Sequence, residues 1–168
     1  MADLLGVGAN PVYEKLIALL DAAQAKYSIL DHAPDGQTDR VSEMRGHPVR
    51  EAAKCIVLIV KQGKKTSKFV LAVVPGNCRV DINAIKKLFN ATYAGFAATD
   101  VAERLAGSVA GTVLPFIFKD ELGLIVDRQI AESEWMYFNA ARLDRSLKLA
   151  TADYLAIAKP RLESIAMS

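Results

Sequence analysis

An apolar run preceded by a lysine constrains the fold of this chain more than any other stretch. Residues 54–60 begin with Lys54, and the rest are apolar and rich in β-branched side chains. A run of that length and composition is typical of a strand covered on both faces. A turn at residues 63–65 and a second apolar run at residues 69–74 follow. We therefore predict a β-hairpin built from these two runs.

The other segments alternate between helical and extended patterns without strict βαβ order. Helix starts are predicted at four cap residues, which are Asn10, Asp81, Thr99 and Thr151. Glu103 is expected to support the first turn of the helix after Thr99. Residues 38–53 are interpreted as two short helices, and Pro160 is expected to kink or divide the last helix. Further strands are predicted over residues 27–31, 93–98, 115–119, 122–127, 136–140 and 146–149.

These elements predict one α/β domain over residues 1–168, with a mixed, mostly antiparallel central sheet surrounded by helices. A chain of 168 residues has the length of one domain, and its 52% hydrophobic content can fill a sizeable core. Residues 1–9 are small and rich in glycine, so we expect them to form a loose N-terminal segment.

Charge and cysteine content narrow the class of protein. A net charge of +2 is too weak to indicate a dedicated nucleic-acid protein, but a local patch could still contact one RNA end. Cys55 and Cys78 lie in apolar surroundings, as expected for reduced thiols in a cytoplasmic protein. We find no signal peptide, no apolar run of membrane-spanning length and no zinc spacing, and we predict neither a metal nor a cofactor.

A glycine loop follows the helix predicted at residues 100–106. Residues 107–115 are uncharged, contain Gly107 and Gly111, and end in Pro115, before a strand-like run at residues 116–118. Glycine allows positive φ and lets a ligand approach bare backbone groups, while proline fixes its own φ. The stretch predicts a rigid loop at the mouth of the sheet. It is either a plain connector, which is the commoner case, or a cradle for a small polar group.

Several polar side chains are candidates for a site. Lys54 either extends its ammonium to solvent or directs it into a pocket, where it would bind a phosphate or polarise a carbonyl. Arg45 and Arg50 are near enough in sequence to add positive charge. His32 is either a hydrogen-bonded structural residue, which is the commoner case, or a catalyst. Asn139 is either a core amide with satisfied partners or a donor that lines the pocket. The lysines of the hairpin tip form a solvated turn or touch a phosphate backbone; they are Lys61, Lys64, Lys65 and Lys68.

The order of these motifs resembles a known family. The matching set is His32, residues 41–46, Ala53-Lys54, Gly107-x-x-x-Gly111-x-x-x-Pro115, Phe138-Asn139-Ala140 and residues 148–155. It is similar to the YbaK/aminoacyl-tRNA-synthetase-associated domain family, which includes the editing insertion of bacterial prolyl-tRNA synthetase. The resemblance covers nearly the whole chain and is strongest to the stand-alone YeaK-like branch.

The resemblance implies a trans-editing hydrolase that cleaves the ester between a wrong, small amino acid and the 3′ end of tRNA. It implies catalytic roles for Lys54 and Gly111, and a water positioned with help from the ribose hydroxyl of the substrate. The substrate-binding residues expected from it are His32, Gly107, Ser108, Thr112, Pro115 and Asn139. Two departures from the family pattern, Ala141 and Cys55, bear on the size of the pocket.

The residues alone leave other functions open. The chain lacks a G-x-S-x-G nucleophile elbow and a Walker loop, which fits an activated ester that needs only a positioned water. The alternatives are a non-catalytic module that binds a nucleotide, a tRNA or a synthetase, and a hydrolase of another small ester. The expected partner is aminoacyl-tRNA, with an aminoacyl-tRNA synthetase as a second candidate partner and no role for DNA or a membrane.

Overall fold

The computed structural model describes residues 10–168, so the segment predicted to be loose, residues 1–9, lies outside the described residues. The described helices are α1 (Pro11–Ala22), α2 (Thr38–Arg45), α3 (Ile82–Leu88), α4 (Thr99–Ala106) and α5 (Thr151–Ala158). The strands are β1 (Tyr27–Asp31), β2 (Ala53–Gln62), β3 (Thr66–Pro75), β4 (Arg79–Val80), β5 (Tyr93–Phe96), β6 (Leu122–Asp127), β7 (Trp135–Asn139), β8 (Arg145–Ala150), β9 (Arg161–Glu163) and β10 (Ala166–Met167). Short 3₁₀ turns occupy Val49–Glu51 and Arg128–Glu132.

A five-stranded sheet in the order β5-β2-β3-β6-β9 forms the centre of the fold. The pairs β5–β2 and β2–β3 are antiparallel, whereas β3–β6 and β6–β9 are parallel. Strands β2 and β3 pair along their whole length, from Ala53 opposite Pro75 to Gln62 opposite Thr66. The predicted hairpin and the mixed sheet are therefore confirmed. A second, antiparallel sheet in the order β1-β8-β7 lies beside the first.

Both faces of β2 are covered, as its composition predicts. Side chains alternate along a strand, so odd-numbered residues of β2 share one face and even-numbered residues the other. Ala53 and Val57 belong to a core cluster that contains residues of α1, α5 and the second sheet. Leu58 and Val60 belong to a separate cluster with Ile85 of α3 and Ile165. Lys54 shares the face of Leu58, at the end of the strand.

Two predicted helix caps are right and two are wrong. The side chains of Asn10 and Asp81 accept hydrogen bonds from Val12 N and Ala84 N, at 2.8 and 3.1 Å. Thr99 and Thr151 instead stand inside their helices, which begin after Ala98 and Ala150 without a side-chain cap. At Thr151 the reason is that β8 runs directly into α5, and the Thr151 N–H donates to the Glu134 carbonyl at 3.0 Å.

The predicted strand at residues 115–119 is also wrong, because this segment is a loop whose first residues, Pro115 and Phe116, are buried in the core. Phe116 packs edge-on against Tyr154, with ring centroids 5.1 Å apart, and the Tyr154 hydroxyl donates to the Pro115 carbonyl at 2.6 Å. The last helix ends at Ala158, so Pro160 neither kinks nor divides it. The short strands β9 and β10 follow, and the sequence pattern did not indicate either of them. Within residues 10–168, no helix combines the length and apolarity needed to cross a membrane.

Candidate active site

A cavity of about 180 Å³ lies beside the N-terminal end of β2. Strand β5 pairs with residues 58–61 of β2, and Ala97 N bonds to Val57 O, so the edge of β2 on that side is open at Cys55 and Ile56. The cavity occupies this edge and is closed by two glycine-containing loops and by the end of β7. Its lining residues are Gly36, Thr38, Val41, Arg45, Ala52, Ala53, Lys54, Cys55, Gly111, Val113, Phe138 and Asn139.

The open edge of β2 presents backbone groups to the cavity. Val57 O accepts from Ala97 N at 3.0 Å and Lys61 O accepts from Thr92 N at 2.8 Å, so odd-numbered residues direct their backbone groups toward the β5 side. The backbone alternates with a period of two residues, and Cys55 therefore turns its N–H and C=O toward the cavity. A substrate can hydrogen-bond there as a further strand would.

Lys54 and Arg45 make the cavity cationic. Lys54 is half-buried, and neither side chain has a carboxylate within 4.0 Å among residues 10–168. Loss of solvent lowers the pKa of Arg45 to about 10, so the guanidinium is still charged at pH 7. Two unpaired cations at one cavity favour a ligand that carries negative charge or develops it during a reaction.

Arg45 is held by neutral partners. Its Nε donates to His47 Nε2 at 2.9 Å, and its Nη1 donates to Ser146 Oγ at 3.0 Å. Desolvation lowers the pKa of His47 to about 4, with a smaller contribution from the charge of Arg45. His47 is therefore neutral at pH 7, and its Nε2 lone pair is free to accept from Arg45. The imidazole also stacks on Tyr137, with ring centroids 3.7 Å apart.

Ser146 links this cation to the glycine loop through Asn139. The fully buried Ser146 hydroxyl donates to Asn139 Oδ1 at 2.9 Å and also contacts His32 Nε2 at 2.7 Å. Asn139 Nδ2 in turn donates to the carbonyls of Gly111 and Asp35, at 2.9 and 3.0 Å. The amide of Asn139 therefore clamps the two loops that close the cavity.

The glycine loop has one more support and one spare donor. Glu103 Oε2 accepts from Ala110 N at 2.7 Å, so this carboxylate holds the loop. The expectation that Glu103 supports the first turn of its own helix is therefore wrong. The neighbouring Thr112 N–H donates to Val109 O at 3.1 Å. Between them, Gly111 N–H makes no hydrogen bond within residues 10–168 and is available to a ligand.

The structure brings three of the predicted site residues together at the cavity: Lys54, Gly111 and Asn139. Arg45 also lines it, whereas Arg50 does not. The other predicted residues lie outside the lining and have structural contacts. Gly107 O accepts from Asn10 Nδ2, Ser108 Oγ donates to Thr112 O, Thr112 Oγ1 donates to Val109 O, Pro115 O accepts from Tyr154, and His32 contacts Ser146. Direct contact of these five with a substrate stays a prediction.

Sequence reasoning missed Gly36, Thr38 and Ser146. Gly36 follows a Pro-Asp turn signal, and its approach to Gly111 depends on two loops that are distant in the chain. Ser146 sits in an ordinary strand pattern, and its partners His32 and Arg45 are 114 and 101 residues away. Only the glycine of the Pro-Asp-Gly turn gave a local signal for a close backbone approach.

The cavity favours catalysis without a protein nucleophile. Burial raises the pKa of the Cys55 thiol, so the thiolate that would attack a substrate does not form near pH 7. Ser146 is fully buried behind Asn139. What the site offers is fixed backbone donors and two cations, which can orient a water and stabilise an oxyanion.

We expect Ser146→Ala to lower kcat for the reaction of this site about tenfold, with a smaller change in KM. The substitution leaves Asn139 Oδ1 without its donor, and an unsatisfied buried group costs about 1–3 kcal/mol. The clamp on Gly111 then loosens. Ser42→Ala is the matched control, because Ser42 is equally buried and contacts Arg45 Nη2 at 3.4 Å but does not touch Asn139. Equal kcat values for the two variants would contradict a positioning role for Ser146.

Comparison with known proteins gives a consistent result. The model of a family described as aminoacyl-tRNA editing domain matches residues 32–157. The chain is 34% identical over 151 residues to the multifunctional Ser/Thr-tRNA deacylase ProXp-y of Escherichia coli K12, with 89% of this chain and 90% of the relative covered. The same protein from Escherichia coli O157:H7 matches to the same extent.

Solved structures show the same fold at low sequence identity. The hypothetical protein APE2540 superposes with a TM-score of 0.81 at 18% identity, covering 91% of this chain and 99% of the other. A proposed trans-editing enzyme for prolyl-tRNA synthetase superposes with a TM-score of 0.77 at 14% identity, covering 96% and 100%.

Proposed function

This chain belongs to the aminoacyl-tRNA editing domain family, and from that membership we propose that it removes serine or threonine from mischarged tRNA at the cavity beside Lys54. The protein is a trans-editing aminoacyl-tRNA deacylase, a hydrolase that acts on the ester at the 3′ end of tRNA. The location of its active site and the amino acid that it removes are the parts that we propose.

One observation carries the assignment of the site. Lys54, Gly111 and Asn139 come from three distant parts of the chain and meet at one cavity, next to an open strand edge. The cavity is small, and it combines two cations with backbone donors. Those are the groups that an activated ester requires when water is the nucleophile.

The chemistry follows from where charge develops. The water oxygen attacks the ester carbonyl carbon, the carbon–oxygen bond to the ribose breaks, and a proton passes from the water to the leaving ribose oxygen. Negative charge accumulates on the carbonyl oxygen before the bond breaks. We assign its stabilisation to Gly111 N–H and to the Lys54 ammonium, which can also hold the phosphate of the terminal nucleotide. The neighbouring ribose hydroxyl helps to orient the water.

A hydroxyl in the cavity supports serine and threonine as the substrates. The Cγ2 methyl of Thr38 lies where a side chain at Gly76 would be, 2.8 Å from an added Cβ. The Thr38 hydroxyl makes no hydrogen bond within residues 10–168. Because Thr38 lines the cavity, we infer that its hydroxyl bonds to the hydroxyl of a seryl or threonyl group, and the named activity of the relative from E. coli is consistent with this choice. A site built around such a bond discriminates against substrates that lack the hydroxyl.

Partners and location follow from the reaction. The substrate is the 3′ end of an aminoacyl-tRNA, and we infer that the enzyme acts in the cytoplasm, where translation takes place. Docking of a synthetase stays a prediction, and the chemistry of the site does not require it.

Release of the amino acid from a panel of aminoacyl-tRNAs (Ser, Thr, Ala, Cys, Pro) tests this function. We expect the wild type to hydrolyse the seryl and threonyl substrates. Thr38→Val removes the hydroxyl at nearly constant volume, and it should lower kcat/KM for these two substrates about three- to tenfold, the size of one hydrogen bond. The alanyl substrate serves as the control and should be unaffected. A folded wild type that releases no amino acid from any substrate would overturn the proposal.

A further inference from the structure

We propose that an apolar groove on the even-numbered face of β2 binds the unpaired nucleotides that precede the terminal adenosine of tRNA. The groove has a volume of about 330 Å³ and is lined by Lys54, Ile56, Arg79, Val80, Phe96 and Met167. The inference rests on the proposed function, because it extends the path of the same substrate away from the cavity.

Lys54 lies between the groove and the cavity. Among residues 10–168 it is the one residue that lines both of them. Strand alternation places its side chain on the face of Ile56, while the strand edge at Cys55 faces the cavity. An RNA strand whose terminal aminoacyl ester lies in the cavity, and which runs past Lys54, therefore enters the groove next. The ammonium stands at the boundary, where the phosphate between two nucleotides would lie.

Phe96 supplies a stacking surface. It is 66% exposed, the highest value among the exposed large hydrophobic side chains of the described chain. It ends the edge strand β5 opposite Leu58, on the same face as Ile56. An exposed ring on an apolar floor is costly in water and is well suited to a nucleobase, because every base has a flat face for stacking.

Arg79 adds a second cation to the lining of the groove. Its Nη2 donates to the terminal oxygen of Ser168 at 3.3 Å, and no Asp or Glu carboxylate lies within 4.0 Å of it among residues 10–168. The lining of the groove therefore combines an aromatic ring, Phe96, with two cations, Arg79 and Lys54. Single-stranded nucleic acids are bound by this combination, with aromatic rings stacking the bases and cations following the phosphates. A neutral apolar partner would leave the Lys54 ammonium uncompensated.

Two substrates separate the groove from the cavity. Seryl-tRNA reaches both, whereas seryl-adenosine, the terminal nucleoside ester alone, fills only the cavity. We expect Phe96→Ala and Arg79→Gln each to lower kcat/KM for seryl-tRNA at least fivefold, as the loss of one stacked base or one phosphate contact predicts. Hydrolysis of seryl-adenosine should change less than twofold. Tyr93→Ala is the matched control, because Tyr93 is an exposed aromatic residue of the same strand on the opposite face.

Binding of an uncharged RNA provides a readout that does not depend on hydrolysis. A fluorescent oligonucleotide that ends in CCA should bind the wild type with an affinity that falls as the salt concentration rises. It should bind Phe96→Ala at least fivefold more weakly than Tyr93→Ala. Equal binding and equal kcat/KM for Phe96→Ala and Tyr93→Ala would overturn the proposal for the groove. So would an equal loss of kcat/KM by Phe96→Ala or Arg79→Gln on seryl-tRNA and on seryl-adenosine. If the wild type binds the RNA at least fivefold more tightly than Phe96→Ala but hydrolyses neither ester, the proposed function fails and the groove stands.

Discussion

Lys54→Met is expected to lower kcat/KM for deacylation of seryl-tRNA about a hundredfold or more. Methionine keeps the apolar stem of this half-buried side chain and removes only the ammonium, which has no carboxylate partner among residues 10–168. Removing one preorganised group that stabilises a developing oxyanion costs about 10²–10³ in kcat. The measurement is steady-state release of serine, with kcat and KM determined separately.

The split between the two constants identifies what the ammonium contacts. A loss confined to KM places it on a phosphate, which is charged throughout the reaction. A loss in kcat places it on the carbonyl oxygen, which gains charge only in the transition state. Lys61→Met is the control, because Lys61 belongs to the same strand but lies at its other end, exposed and over the ring of Tyr93. A Lys54→Met enzyme as active as Lys61→Met would remove Lys54 from the mechanism.

The parts of the fold that local sequence predicted are those with strong local causes. The hairpin of β2 and β3 could be predicted because two apolar, β-branched runs flank a glycine turn. The segment at residues 115–119 has the same apolar character but no pairing partner, because β6 occupies the edge of β3. Phe116 packs against Tyr154 instead. The apolar composition therefore predicted burial of Pro115 and Phe116 but not the exposure of Ile117, and pairing depended on distant strands.

The residues of the candidate site likewise fall into those that the sequence indicated and those whose contacts only the structure shows. Lys54 and the glycine loop stood out because a charge beside a buried strand and a side-chain-poor loop are visible in the sequence. Arg45 and Asn139 were also candidates from the sequence, but the contacts that join them to the glycine loop could not be predicted from it. The hydrogen bonds from Arg45 through Ser146 and Asn139 to Gly111 join residues 101, 7 and 28 positions apart. A single sequence carries no signal for such contacts, since each residue alone fits an ordinary helix or strand.

Gly111→Ala is expected to lower kcat/KM at least a hundredfold, although the substitution adds only one methyl group. Gly111 has φ +86°, where an L side chain is strained, and an added Cβ would lie 2.9 Å from Gly36 Cα and 3.2 Å from Gly36 O. The loop must move away from Gly36, and the hydrogen bond from Asn139 to the Gly111 carbonyl cannot follow it unchanged. A displacement of about 1 Å at reacting groups is enough for a hundredfold loss.

Gly63→Ala separates misplacement of the loop from strain in the backbone. Gly63 has φ +75°, close to that of Gly111, but nothing lies within 4 Å of an added Cβ, and it stands in the turn between β2 and β3, away from the cavity. Strain should lower the free energy of unfolding of both variants by about 1–2 kcal/mol, because alanine is strained in this region of φ, and Gly111→Ala should lose more through its contact with Gly36. Only Gly111→Ala should lose activity. Similar kcat/KM values in the two variants would mean that the contact between Gly36 and Gly111 does not position the reacting groups, since the strain is common to both and the contact is not.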